Sequence, residues 1–193
     1  MNVVIVDYGA GNIKSIQFAF KRLGVDAVHS RNIEILKTAD KIIFPGVGEA
    51  SSAMTMLKES GLDQVIPELK QPVLGICLGM QLMCNYTEEG NTKGLEIFDV
   101  DVKRFKTGVK VPQMGWNTIT DLKSDLFKNI KDLEFMYFVH SYYAAYCEAM
   151  IATANYEYLY ASALKKDNFY GVQFHPEKSS VAGEQILKNF LEL

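Results

Sequence analysis

Cys77 stands at the centre of Gly75-Ile76-Cys77-Leu78-Gly79, directly after the apolar pair Val73-Leu74. The pattern predicts a strand that turns sharply into a helix, with a nucleophile on the corner. A side chain at 75 or 79 would collide with neighbouring backbone or block the approach of a substrate, so glycine flanks the corner on both sides. The turn puts the sulfur at a helix N-terminus, where unpaired N–H groups and the positive end of the dipole favour negative charge. These features describe a cysteine-nucleophile enzyme.

Such a nucleophile needs a base, and the base needs an orienting group. Only His29, His140 and His175 are available. His175 lies in Gly171-Val172-Gln173-Phe174-His175-Pro176-Glu177, at the end of an apolar strand that Pro176 stops. In an extended segment His175 and Glu177 point to the same side, so the carboxylate can fix the imidazole tautomer and stabilise the imidazolium. Attack on a carbonyl would develop an oxyanion. The N–H of Leu78 is its natural first donor, and the turn Pro45-Gly46-Val47-Gly48 is a candidate for the second, through Gly46 or Val47. Without Cys77 that turn would read as a plain tight turn.

The elements that must position these groups are legible as strand and helix units. Asn2–Asp7 is a continuous apolar strand, Ile13–Leu23 an amphipathic helix stopped by Gly24, and Asp26–His29 and Lys41–Phe44 two further strands. Ala50, Ala53, Met54 and Leu57 have helical spacing; Pro72–Ile76 is the strand that delivers Cys77, and Met80–Tyr86 the helix after it. On that helix Cys84 would share a face with Cys77, as a small buried hydrophobe. Repeated units of this kind predict an α/β fold with a central, mostly parallel sheet flanked by helices. Both Cys77 and His175 then fall at the C-terminal ends of strands, the edge where open α/β sheets bind ligands. The second half reads as short strands at Asp99–Phe105, Trp116–Thr120, Glu134–Val139, Met150–Asn155, Tyr158–Leu164 and Phe169–Phe174, closed by an amphipathic segment Val181–Leu193. These are expected as antiparallel additions to the same sheet or as a small second sheet.

Composition excludes several classes. The chain has 193 residues, 48 % hydrophobic and 22 % charged, which suits one domain over 1–193. No apolar run approaches the ~18 residues that span a bilayer, and the N-terminus reads as a first strand and not a signal peptide, so a cytoplasmic location is expected. Net charge is −3, from 20 basic and 23 acidic residues, with no basic stripe for nucleic acid. The three cysteines form no CxxC pair, which argues against a disulfide framework or a zinc site. Gly9-Ala10-Gly11 precedes a helix, but Lys14 stands where a dinucleotide fingerprint needs its third glycine. Gly46-Val47-Gly48 lacks the Gly-Lys-Ser/Thr of a phosphate loop. No cofactor and no metal is implied.

The motifs together resemble a known family. Gly75-Ile76-Cys77-Leu78-Gly79-Met80-Gln81, the Pro45–Gly48 turn and Gln173-Phe174-His175-Pro176-Glu177 are similar to the class I (triad) glutamine amidotransferases. Asp7–Asn12, Pro112–Asn117, Phe138–Tyr142 and His175–Ser179 resemble, within that family, the glutaminase subunits of imidazole glycerol phosphate synthases of histidine biosynthesis. The resemblance runs the full chain. It implies a Cys77-His175-Glu177 triad that hydrolyses glutamine to glutamate and ammonia. It also implies that Gln81 and Glu89 bind the amino-acid end of the substrate, and that the backbone of Ser141 and Tyr142 holds its α-carboxylate. A carboxylate at 89 suits an ammonium group, although it also reads as a solvated loop acid beside Glu88 and Gly90. The family passes its ammonia to a (β/α)8-barrel cyclase, so a docking face is expected at the catalytic mouth, from Tyr8, Asn12, Trp116, Tyr137 and Lys178. Trp116 fits an interface anchor and equally a half-buried core residue.

Other readings keep part of this picture. The same glutaminase chemistry serves amidino-sugar synthesis in related proteins. The pyridoxal phosphate synthase glutaminase is a poorer likeness, because its GGES-type turn is absent. A peptidase of the same fold would use the same corner. A non-catalytic scaffold would be expected to lack a triad member, and none is missing. The Gly46–Gly48 turn is the candidate moving part if a partner completes the site.

Overall fold

Val3–Val6 (β1) has no polar position, because the strand lies in the middle of a sheet that is covered on both faces. The structure, a computed structural model, describes residues 1–106 and 108–193. After β1 come α1 (Ile13–Arg22), β2 (Val28–Ser30), α2 (Ile33–Thr38), β3 (Lys41–Gly46), α3 (Ala50–Glu59), α4 (Leu62–Val65), β4 (Val73–Cys77) and α5 (Leu78–Leu82). The second half adds β5 (Cys84–Thr87), β6 (Thr92–Lys93), β7 (Phe98–Arg104), β8 (Gln113–Ile119), β9 (Glu134–His140), β10 (Tyr142–Ala144), β11 (Met150–Tyr156), β12 (Tyr158–Lys166), β13 (Phe169–Val172) and α6 (Ser180–Glu192).

The main sheet runs β2-β1-β3-β4-β13-β12-β10-β7-β5-β6, with β11 paired on β12. The strands β2, β1, β3, β4 and β13 are parallel to one another, and the additions beyond them are antiparallel except for the β5–β7 pair. The expected α/β architecture is therefore present, and both expectations for the second half hold: β8 and β9 form a separate two-stranded antiparallel sheet. Alternate residues of the parallel strands supply two cores. Val4, Val6, Ile42, Phe44 and Val73 face α3, α4 and α5, while Val3, Ile5, Ile43, Leu74 and Ile76 face α1, α6 and the inner side of β8–β9. Helix α1 buries Ile16, Ala19 and Phe20, and Gly24, at φ 77°, follows it in a conformation that glycine adopts without steric cost.

Three expectations change. The helix predicted over Met80–Tyr86 is shorter. It stops at Leu82, because Cys84–Thr87 is drawn into the sheet beside β7 and β6. Cys84 is buried, but on a strand and not on the Cys77 helix. The short elements α2, α4, β5, β6 and β10 lack a periodic run long enough to read, and β8 begins at Gln113, three residues before the expected start. No described helix is long and apolar enough to cross a membrane.

Candidate active site

The corner at Cys77 is built by backbone contact. Cys77 itself sits at φ 54°, ψ −112°, a conformation that non-glycine residues rarely adopt. It is the hinge between β4 and α5. A Cβ on Gly79 would collide with the carbonyl oxygen of Phe44, and one on Gly75 would strike the end of Met83 and stand 2.9 Å from the Met80 nitrogen. Packing of helix on strand, more than clearance for substrate, is what demands the two glycines.

Parallel pairing brings the other parts alongside. Gly46 is in register with Cys77 across β3–β4, and Val172 with Ile76 across β4–β13. Three residues beyond Val172, His175 is 3 % exposed and shares a cavity of about 320 Å³ with Cys77. His175 Nδ1 lies 2.8 Å from Glu177 Oε1, with the Glu177 side chain 1 % exposed. The route to this contact differs from the extended strand expected: Pro176–Lys178 forms a single 3-10 turn that folds Glu177 back on the ring. The other ring nitrogen, Nε2, is buried and has no hydrogen-bond partner among the described residues. Burial alone would lower the pKa of His175. The negative charge of Cys77, with the charge and hydrogen bond of Glu177, outweighs it and raises the value to about 10.

The sulfur has two further neighbours. Val139 O lies 3.8 Å from Sγ, and the amide Nε2 of Gln173 donates to Sγ at 3.7 Å. Gln173 is fully buried and accepts a hydrogen bond from Gln81 Nε2 at 2.9 Å; Gln81 also donates to Tyr142 O at 2.9 Å. Gln173 is the site residue that sequence reasoning missed. The signal was present, because Gln173, His175 and Glu177 alternate, as do residues that share one side of an extended segment. His140 is buried, and Tyr142 O lies 2.7 Å from its Nδ1. Burial lowers its pKa to about 4; the Tyr142 carbonyl opposes this and the charge of His175 adds to it.

The remaining expected residues fall in three places. Leu78, Val47, Gln81, Glu89, Ser141, Tyr142 and Lys178 all line the cavity. Glu89 also accepts from the Ala50 N–H at 3.0 Å, at the first residue of α3, and its pKa is raised mainly by burial. Asn12 is half-buried at the start of α1, where its side chain makes no cap. Trp116 is 53 % exposed on β8 and meets Tyr137 of β9 edge to face at 6.0 Å. Tyr8 departs from the expectation of a docking residue. It is 4 % exposed, packs on Phe44 and donates its hydroxyl to Pro45 O at 2.9 Å, so it supports the Pro45–Gly48 turn from beneath. Among the described residues no His, Cys, Asp and Glu cluster could hold a metal ion.

Comparison with known proteins agrees with this geometry. The family model described as glutamine amidotransferase class-I matches residues 4–193. The chain is 61 % identical to a protein of Bacteroides fragilis named imidazole glycerol phosphate synthase subunit HisH, and 49 % identical to one of the same name in Pectobacterium atrosepticum, with both chains covered in full in each case. A Haemophilus influenzae protein of that name is 46 % identical over the whole chain and 98 % of its own length. Among solved structures, one described as a glutamine amidotransferase superposes with a TM-score of 0.77 at 19 % identity, covering 99 % of this chain and 98 % of that one. PurLQS of Thermotoga maritima gives 0.74 at 14 %, covering 99 % and 97 %. A cysteine on a strained corner, a histidine held by a carboxylate beside it, and a family match across nearly every residue lead to one conclusion: the chain belongs to the class I glutamine amidotransferases.

Proposed function

We propose that this chain is the glutaminase subunit of an imidazole glycerol phosphate synthase, a single domain over 1–193 working in the cytoplasm. The observation that carries the reading is the meeting of Cys77 and His175 at one cavity, with Glu177 bonded to His175, in a chain that matches HisH subunits from end to end. Cys77 attacks the carboxamide carbon of glutamine, and His175 takes the thiol proton and gives it to the departing ammonia. Water then hydrolyses the glutamyl thioester with His175 as base. Glu177 holds the imidazole through Nδ1 and leaves Nε2 for the transfer. The N–H of Leu78 and a backbone N–H from Gly46 or Val47 are the donors for the oxyanion. Glu89 and the free carbonyl oxygen of Gln81 receive the substrate ammonium, since both amide hydrogens of Gln81 are already donated. The Ser141 and Tyr142 backbone receives the α-carboxylate.

Ammonia passes to a (β/α)8-barrel cyclase seated over the cavity mouth, and that partner makes imidazole glycerol phosphate and an aminoimidazole carboxamide ribonucleotide. The outer face of β8–β9 supports this placement. Met114, Trp116 and Phe135 are 65 %, 53 % and 55 % exposed, and Trp116 pairs in register with Tyr137. With Asn12 and Lys178 they form the proposed docking face. Glutamate release from glutamine, measured on the chain alone and with the barrel cyclase and its nucleotide ligand, tests the reading. Strong stimulation by the liganded partner is expected. A rate indifferent to that partner would assign the ammonia to another client.

A further inference from the structure

Two buried amides lie between the cavity wall and the sulfur, and the hydrogen bonds fix which way round each one is. Gln81 Nε2 faces two acceptors, Tyr142 O at 2.9 Å and Gln173 Oε1 at 2.9 Å. Only an NH2 group satisfies both, so Gln81 is oriented. Gln173 must then turn its oxygen to Gln81 and its NH2 to Cys77 Sγ, at 3.7 Å. On the other side of the sulfur, Val139 O lies 3.8 Å away and can only accept. The two contacts suit different protonation states. Val139 O is satisfied by a thiol that donates to it, and the Gln173 N–H bond strengthens when the sulfur becomes an anion.

We propose that Gln173 is a positioning residue for the glutaminase reaction: it holds the Cys77 sulfur in its anionic form and aims it, while Gln81 locks the Gln173 amide and links it to the substrate pocket. This role rests on the reading of Cys77 as nucleophile. It gives Gln81 two functions, one toward substrate and one toward the nucleophile through a single intervening side chain. Gln173 touches no substrate atom in this arrangement; it acts through the sulfur. The titratable and charged groups facing the sulfur are His175 with Glu177 behind it, from the turn after β13, and Tyr8 from the loop after β1. Across the cavity stand His140 of β9, Glu89 and Lys178. A change at Gln173 leaves all of them in place.

The test is the pH dependence of Cys77 alkylation by iodoacetamide in the full chain, followed on the Cys77 peptide by mass spectrometry. Gln173→Met removes the donor at similar volume. It is expected to move the midpoint of the profile up by about one pH unit and to slow alkylation at pH 7 by about tenfold. Gln173→Glu keeps an acceptor for Gln81 but puts negative charge beside the sulfur, and is expected to move the midpoint further. In the assembled synthase kcat is expected to fall in step with the alkylation rate, while KM for glutamine stays within about twofold. If Gln173→Met fails to fold, as judged by circular dichroism, Gln173→Glu decides alone. A profile superimposable on that of the unaltered chain, in either folded variant, overturns the proposal. Failure of the underlying reading is separate: a Cys77→Ser chain that still hydrolyses glutamine removes the nucleophile whatever the alkylation profiles show.

Discussion

At Cys77 the backbone conformation and the sulfur chemistry are inseparable, because the φ of 54° is what turns the side chain out of the sheet and toward His175. Cys77→Ser keeps that corner and is expected to lose glutamine hydrolysis to background while its thermal melt stays close to that of the unaltered chain; turnover that persists would remove the nucleophile assignment. Glu177→Gln tests the orienting bond at 2.8 Å. It is expected to lower kcat by as much as about 10⁴-fold with little change in KM, in steady-state kinetics of the assembled synthase. The two buried histidines make opposite contributions with pH. His175 is raised to about 10, so the stability it contributes is complete below its unfolded value near 6.5 and is lost as pH rises toward 10. His140 is lowered to about 4, so its contribution is complete above 6.5 and is lost as pH falls toward 4. Urea unfolding across this range is expected to show a shoulder of maximum stability near pH 6.5. In His140→Gln the decline between pH 6.5 and 4 should flatten; an unchanged acid limb would mean that another group titrates there.

At the scale of elements, the site depends on how closely α5 lies against β3 and β4. Gly79→Ala would drive a methyl carbon into the Phe44 carbonyl, whose backbone is fixed in the sheet. A loss of at least ~1–3 kcal/mol is expected, read as a lowered urea midpoint, because overpacking against backbone cannot relax through a side-chain rotamer. This crowding explains why the corner is so legible in sequence: two glycines around a cysteine, after an apolar strand, answer a steric demand that few other residues meet. The parallel strands are legible for a similar reason, since burial on both faces leaves uninterrupted runs such as Val3–Val6. Cys84–Thr87 is not, because four residues of mixed polarity become a strand only when β7 and β6 are there to pair with them. Long-range packing also decides Tyr8, whose aromatic ring in a glycine-rich loop suggests a contact surface until Phe44 and Pro45 are placed around it. The Gln173 contact is hidden in the same way: its spacing from His175 is visible, but the sulfur it meets is 96 residues away in sequence.

For the molecule as a whole, the cavity mouth and the exposed apolar sheet lie at the same edge. The β8–β9 strands carry Val139 and His140 into the cavity and present Trp116 and Tyr137 outside it. Trp116→Ala is therefore expected to weaken assembly with the proposed barrel cyclase by about 2 kcal/mol, roughly thirtyfold in Kd by titration calorimetry. Affinity unaffected by this change would move the docking face elsewhere. The sheet order has a different consequence for the making of the protein. Strand β13, which leads to His175, is inserted between β4 and β12, although residues 1–168 precede it in the chain. A growing polypeptide on the ribosome exposes Cys77 long before the strand that completes its surroundings has been synthesised. Until then the central gap in the sheet stays open and the thiol has neither His175 nor Gln173 beside it. With Cys77 as the proposed nucleophile, its arming is a late event of synthesis, coupled to closure of the sheet, and a chain interrupted before β13 carries the cysteine without its proposed base.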